Sequence, residues 1–371
     1  PPVYKSMEIQ ENKIYINFDN AQRGLSPMWT SLKGFEIAGE DKVFYPAFAE
    51  IETTTARLAV SSDKVPHPVA VRYAYKNYVD DYLDALIKEM TFVASTMKDR
   101  RLDTVYFGGG TPTTLGAAQL DRLITALKEL FDIDGCHEFT VEAGRPDSIT
   151  RDKLKVLKAH NVGRISINPQ TMNQKTLDII GRRHTVEDIR KAFADARELG
   201  FDNINMDLIV GLPGEGIEEV EHTMQEVLSL DPDSITVHSL AIKRAARLNL
   251  FKDEYKEMTF TNNQRIMEMT EQYAAKAGMF PYYLYRQKNM KGNFENVGYA
   301  KPEKEGIYNI LIMEEKQSIL ALGAGASTKF VMNDRIERAE NVKDIKNYIE
   351  RIDEMIERKK QGYCDYEKNR V

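Results

Sequence analysis

From residue 103 onward the chain alternates short β-branched and aromatic runs with segments whose apolar residues recur at helical spacing, the pattern of a parallel sheet with crossover helices. Strands are predicted over 104–107, 138–142, 164–168, 203–210 and 234–240. Between the first two, Leu120, Leu123, Ile124, Leu127, Leu130 and Phe131 form one helical stripe that faces the sheet. Thr185-Val186-Glu187-Asp188 has the form of a capping box, and Gly200 stands where a helix C-cap belongs. Residues 1–77 alternate as β structure does, through Lys13-Ile14-Tyr15-Ile16-Asn17-Phe18, Val43-Phe44-Tyr45 and Val69-Ala70-Val71-Arg72-Tyr73. Leu83, Leu86, Ile87, Met90 and Val93 then mark a helix with no flexible linker before it. In the last third, Ile266, Met267, Met269 and Tyr273 predict a helix, residues 306–312 read as a strand, and Ile349, Ile352 and Ile356 mark a terminal helix.

Composition narrows this picture without redrawing it. The 371 residues are 42% hydrophobic and 29% charged, enough chain for two domains with substantial cores. A net charge of -6 and the absence of a basic stripe argue against a nucleic-acid partner. The run Arg358-Lys359-Lys360 reads as the solvated face of the terminal helix. No apolar stretch reaches transmembrane length, so no membrane partner is expected. The two cysteines suit a reducing, cytoplasmic setting. Nothing in the sequence fixes a number of subunits.

The candidate chemistry lies where the predicted strands end. Gly108-Gly109-Gly110 follows the run Thr104-Val105-Tyr106-Phe107, and glycine lets a ligand approach the backbone with no Cβ in the way. A tight turn is the plainer reading of a glycine triplet. Polar or glycine residues recur at the successive strand ends, however: Gly109 and Gly110, then Glu142, Gln170, Asp207 and the segment reaching Ala241. Ligands of parallel α/β folds bind outside the carboxyl ends of the strands, so this series marks one rim.

On these residues the chain from about 78 to its end resembles the oxygen-independent coproporphyrinogen III oxidase family of radical S-adenosylmethionine proteins. The match is carried by Tyr106 to Thr114, by 139–147, by Arg164-Ile165-Ser166-Ile167-Asn168-Pro169-Gln170 and by Ile180-Gly181-Arg182-Arg183-His184-Thr185. It continues through 205–214, 237–244 and Leu322-Gly323-Ala324-Gly325-Ala326. The resemblance implies S-adenosylmethionine as cofactor. Gly109, Gly110 and Thr111 would hold the amino and carboxylate groups of its methionine part, and Glu142 its ribose hydroxyls. Gln170 and Arg182 would lie along the methionine carboxylate and ribose, with Asp207 and Ala241 bordering the far side. Taken singly, Arg182 also reads as a helix-end cation and Asp207 as a strand-end cap. The implied substrate is coproporphyrinogen III, whose carboxylates make Lys243, Arg244 and Arg286 candidate partners. The aromatic series Tyr282 to Tyr285 reads as core.

The resemblance also implies a four-iron four-sulfur cluster held by three thiolates of a C-x-x-x-C-x-x-C loop after the first barrel strand. The sequence has Cys136, expected at the amino end of the sheet just before the strand 138–142, and Cys364 in a polar tail, so no metal-ligating set is expected. Residues 1–77 resemble instead the C-terminal β module of sialate O-acetylesterases, through Tyr4-Lys5-Ser6-Met7, 32–42 and 68–74 with Asn77. The expected fold class is therefore α/β: an incomplete radical SAM-type partial (β/α) barrel lacking its first strand, preceded by a small all-β module. The expected domains are 1–77, a partial barrel over 78–245 and an α+β part over 246–371. The strand 104–107 is then an open edge that the N-terminal module would pair or cover. The implied function is oxidative decarboxylation of coproporphyrinogen propionates to vinyl groups, inactive here for want of cluster ligands. The alternatives are an S-adenosylmethionine- or tetrapyrrole-binding remnant, a non-functional composite of two truncated genes and, remotely, an esterase fragment.

Overall fold

The computed structural model describes residues 3–19, 32–52, 57–73, 78–97, 101–240, 261–286 and 294–369. The chain divides into two compact units, Pro1–Tyr78 and Val79–Val371.

The first unit is built from β1 (Val3–Gln10), β2 (Lys13–Asp19), β3 (Leu32–Ala38), β4 (Phe44–Glu52), β5 (Arg57–Ser61) and β6 (Ala70–Tyr73). They form one antiparallel sheet in the order β1-β2-β5-β4-β3-β6. Two-residue alternation puts Ile14, Ile16, Phe35, Ile37, Ala49, Leu58 and Val60 into one small core.

The second unit opens with α1 (Tyr78–Thr96) and continues with β7 (Thr104–Phe107), α2 (Ala117–Leu130), β8 (Glu138–Gly144), α3 (Arg151–Ala159) and β9 (Arg164–Gln170). Next come α4 (Gln174–Ile179), α5 (Val186–Glu198), β10 (Ile204–Val210), α6 (Ile217–Ser229), β11 (Ser234–Ser239) and α7 (Gln264–Lys276). It ends with β12 (Phe280–Tyr285), β13 (Asn296–Ala300), α8 (Ile307–Glu314), β14 (Ser327–Val331), β15 (Ile336–Glu340), α9 (Ile345–Glu350) and α10 (Ile352–Asn369). Strands β7 to β11 are parallel and sequential, and β13 and β12 extend the sheet antiparallel beyond β11, giving the order β12-β13-β11-β10-β9-β8-β7. The predicted box at Thr185 caps α5: its hydroxyl accepts from the Asp188 N–H at 3.1 Å, and its own N–H donates to Asp188 Oδ2 at 2.8 Å. Such a cap contributes about 1 kcal/mol.

The two faces of this sheet differ in kind. Phe139, Val141 and Ala143, Ile165 and Ile167, Met206 and Leu208, and Ile235 and Val237 are buried in one core with the stripes of α2, α3, α5 and α6. The alternate residues are Glu138, Thr140 and Glu142, Arg164, Ser166 and Asn168, Asn205 and Asp207, and Ser234, Thr236 and His238. Parallel sheets are ordinarily apolar on both faces because helices cover both. Here one face is polar, and its side chains bond to one another: Asn205 Nδ2 to Ser166 Oγ at 3.1 Å, Ser234 Oγ to Asn205 Oδ1 at 3.0 Å, and an Arg164 guanidinium nitrogen to Ser234 Oγ at 3.1 Å. A partial barrel of this kind presents that face to a lumen.

Two expectations change. Residues 306–312 are not a strand; α8 occupies them, because Ile307, Ile310 and Leu311 have helical spacing and Gly306 precedes the first turn. Lys359 is not solvated: it is 2% exposed and its Nζ lies 2.7 Å from Glu89 Oε1. Among the described residues the larger sheet ends at β7, a four-residue strand paired with β8. A short edge strand is itself a protection against pairing with other chains.

Candidate functional site

The glycine triplet is shaped by three different constraints. A Cβ on Gly108 would lie 2.4 Å from the Tyr106 ring and 3.0 Å from Glu142 Oε1, so this glycine is required by packing. Gly109 has φ +97, a conformation that strains other residues. Gly110 meets no steric limit, since a Cβ there would find nothing within 4 Å. The Gly109 N–H donates to the Glu142 carboxylate. The Gly110 and Thr111 amides meet no acceptor among the described residues. The loop is tied to β8 by Thr113, whose hydroxyl donates to the Ala143 carbonyl and lies 2.6 Å from Ser148 Oγ.

Glu142 accepts from the Tyr106 hydroxyl at 2.6 Å. Burial pushes its carboxyl above the ordinary value and the nearby Asp207 adds to this, while Tyr106, Gly109 and His238 restrain the rise. Asp207 shifts the other way. Burial would raise it, but His238, with Nε2 at 3.8 Å, and hydrogen bonds from Asn205 and Thr236 hold it below its usual range. The Tyr285 hydroxyl lies 3.3 Å from His238 Nδ1. The lumen thus holds two carboxyl groups tuned in opposite directions.

A second cluster includes Arg182. Arg182 is half-buried, its guanidinium has no ion-pair partner among the described residues, and burial and Arg145 lower its pKa. Arg145 pairs with Asp147, with Nε 3.0 Å from Oδ1. His184 is 1% exposed, Asp147 Oδ1 is 3.9 Å from its Nδ1, and neither ring nitrogen has normal hydrogen-bond geometry. Gln170 ends β9 at φ 69, a left-handed conformation that costs energy in a non-glycine residue. Burial holds His184 below its reference value of 6.5. Its neutral form therefore supports a stability that is whole above that value and declines as pH falls through the depressed folded pKa. We expect His184→Leu to flatten the fall in stability between about pH 7 and 5, to be measured by denaturant titration at each pH. Glu142 and Glu215, both raised, act with the opposite sign and leave that slope in the variant.

The structure thus joins Gly109, Glu142 and Asp207 in one cluster and places Arg182 in another. Ala241, Lys243 and Arg244 lie outside the described residues. Arg286 is exposed and pairs with Glu295 at 3.2 Å. Tyr106, His238 and Tyr285 adjoin this cluster although sequence reading assigned them no site role, Tyr285 having read as core. The polar-apolar alternation of β8 to β11 was the signal that could have found His238. The second glycine loop offers no comparable cradle. The N–H groups of Gly323, Ala324, Gly325 and Ala326 already bond Glu89 at 2.9 Å, the Tyr82 hydroxyl at 3.4 Å, the Val342 carbonyl at 2.8 Å and the Gly323 carbonyl at 3.2 Å.

Cys136 precedes β8 at the amino end of the sheet and its Sγ donates to the Leu102 carbonyl at 3.1 Å. Cys364 is exposed on α10. Among the described residues no group of three His, Cys, Asp or Glu side chains could hold a metal ion, and no helix is long and apolar enough to cross a membrane.

The family model of the radical SAM superfamily matches residues 73–227. The oxygen-independent coproporphyrinogen-III oxidase-like protein HemZ of Bacillus subtilis is 45% identical over 286 residues, 76% of this chain and 57% of that protein. The heme chaperone HemW of the same organism is 33% identical over 278 residues, 74% of this chain and 69% of that protein. Among solved structures, the coproporphyrinogen III oxidase HemN of Escherichia coli superposes with a TM-score of 0.60 at 26% identity, covering 75% of this chain and 63% of that one. The chain therefore spans little more than half the length of HemZ.

Proposed function

We propose, from the premise that this chain belongs to the radical SAM superfamily and to the lineage of the oxygen-independent coproporphyrinogen III oxidases and HemW, that its rim binds S-adenosylmethionine without supporting radical chemistry. The observation that carries the binding reading is the pairing of unsatisfied Gly110 and Thr111 amides with the open space over Gly109 and Gly110 and with Glu142 beside them. Amide donors suit a carboxylate, and a carboxylate suits a ribose diol. Gly109, Gly110 and Thr111 would hold the methionine end, Glu142 the ribose, Gln170 and Arg182 the carboxylate and ribose flank, and Asp207 with Ala241 the remaining side. In the family this cofactor supplies a radical once a reduced cluster cleaves it.

The thiols present do not fit such a cluster. Three thiolates are required on the rim, while Cys136 is at the opposite end of the sheet and Cys364 is on α10. Coproporphyrinogen III is the substrate of the lineage and heme the ligand named for HemW, so a tetrapyrrole is the proposed second ligand, bound rather than turned over. The unpaired thiols are in keeping with a reducing cytoplasm. For the first unit we retain the resemblance to a sialate O-acetylesterase β module, and hence a composite chain.

Isothermal titration of the full chain with S-adenosylmethionine should give saturable heat that Glu142→Ala abolishes. A flat titration of the unsubstituted protein at high concentration overturns the binding reading. Anaerobic incubation with iron and sulfide, followed by desalting, should leave no stoichiometric iron. Retained iron with a visible charge-transfer band would overturn the proposed loss of the cluster.

A further inference from the structure

The helix α8 packs against β12 and β7, the two edge strands of the larger sheet. Its first turn is anchored on the polar face. The Ile307 N–H donates to Glu138 Oε2, and Asn309 Nδ2 donates to the Tyr282 hydroxyl at 3.3 Å. Between them Tyr308 stacks on Tyr106, with ring centroids 4.2 Å apart and planes 18° from parallel. The Tyr106 ring also lies against Gly108, where a Cβ would come within 2.4 Å. The ring thus touches a glycine and a second ring, and its hydroxyl is the 2.6 Å donor to Glu142.

Resting on the S-adenosylmethionine reading of the rim, we propose that Tyr308 is a positioning residue that fixes Glu142 through the Tyr106 ring. The physical reason is the weakness of the local support. Tyr106 sits on a four-residue strand with one neighbouring strand among the described residues, so backbone pairing alone holds it loosely. A short hydroxyl-carboxylate bond needs the ring in one orientation, and an aromatic stack supplies that restraint. Glu142 is faced by Tyr106 and the Gly109 N–H from β7 and its loop, by Asp207 from β10, by His238 from β11 and by Tyr308 from α8. Tyr308 makes no hydrogen bond to Glu142; the hydrogen-bonded route from α8 to the carboxyl runs through the Tyr106 ring.

The test reads Glu142 directly. Carboxyl-labelled glutamate in the full chain would be titrated by NMR, with Glu142→Gln identifying the resonance. Tyr106→Phe should raise the Glu142 midpoint, since it removes a bond to the charged form. Tyr308→Leu, which keeps apolar volume but loses the stack, should move the midpoint the same way by less, and Tyr308→Phe should leave it in place. In the Tyr106→Phe background Tyr308→Leu should add nothing, whereas a merely structural role would produce the same shift in both backgrounds. An unchanged Glu142 titration in Tyr308→Leu, or equal shifts in both backgrounds, overturns the proposal. By calorimetry Tyr308→Leu should weaken S-adenosylmethionine binding by about two- to tenfold, the value of one aromatic pair, and Tyr308→Phe should not. Absence of heat in the unsubstituted protein would defeat the cofactor reading alone, because the titration decides the role of Tyr308 without the cofactor.

Discussion

Glu89→Ala is expected to cost the second unit about 3–5 kcal/mol, enough to unfold a domain of ordinary stability. Glu89 is 0% exposed. Its Oε1 accepts from Lys359 Nζ at 2.7 Å and Asn341 Nδ2 at 2.8 Å, and its Oε2 accepts from the Gly323 N–H at 2.9 Å and the Tyr348 hydroxyl at 2.7 Å. Lys359 in turn donates to Asn341 Oδ1 at 2.8 Å. One carboxylate on α1 therefore gathers α9, α10, the segment after β15 and the loop at Gly323. Removing it strands a buried ammonium whose pKa burial already depresses, and it takes an acceptor from three neutral donors, of which Asn341 Nδ2 keeps the Gly323 carbonyl at 2.8 Å. The pair itself need not be stabilising relative to apolar residues, so Glu89→Leu with Lys359→Met should recover much of the loss. Denaturant unfolding of the full chain measures both. A loss below about 1 kcal/mol in Glu89→Ala would show that water reaches these groups.

Gly108→Ala and Gly110→Ala are expected to fail in opposite ways, although the positions are two residues apart. The first forces a methyl against the Tyr106 ring and Glu142, and should cost about 1–3 kcal/mol by overpacking while displacing the carboxylate. The second places its methyl in open space, so unfolding should change by no more than about 0.5 kcal/mol. That space is where the proposed ligand approaches the backbone, and S-adenosylmethionine binding should fall about tenfold or more, or about 1.4 kcal/mol. Paired thermal unfolding and calorimetry separate the cases. Equal binding by Gly110→Ala and the unsubstituted chain would remove the loop from the site.

The strands were legible because each signal was local. A run such as Arg164-Ile165-Ser166-Ile167 alternates on its own, and Thr185 meets Asp188 three residues later in any helix that begins there. The strands over 138–142 and 164–168 run on to Gly144 and Gln170, because pairing with a neighbouring strand, rather than propensity, sets where a strand stops. The error over 306–312 has a similar source. Its short β-branched and aromatic run suits either state, and packing of the helix against β7 and β12 selected one. Lys359 was misread because its partner is 270 residues away in sequence, and a charge next to other charges on a helix usually faces water.

The sequence by itself determined the order of the five parallel strands, the lineage of residues 78–371, the glycine loop and the presence of only two thiols. Those properties are written in residue types and short spacings. Only the tertiary structure decided which carboxyls share an environment, how Glu142 and Asp207 come to shift in opposite directions, and that a helix near the C-terminus braces a tyrosine near residue 106. Burial, charge coupling and ring stacking depend on distance in space, and chain separation carries no record of it.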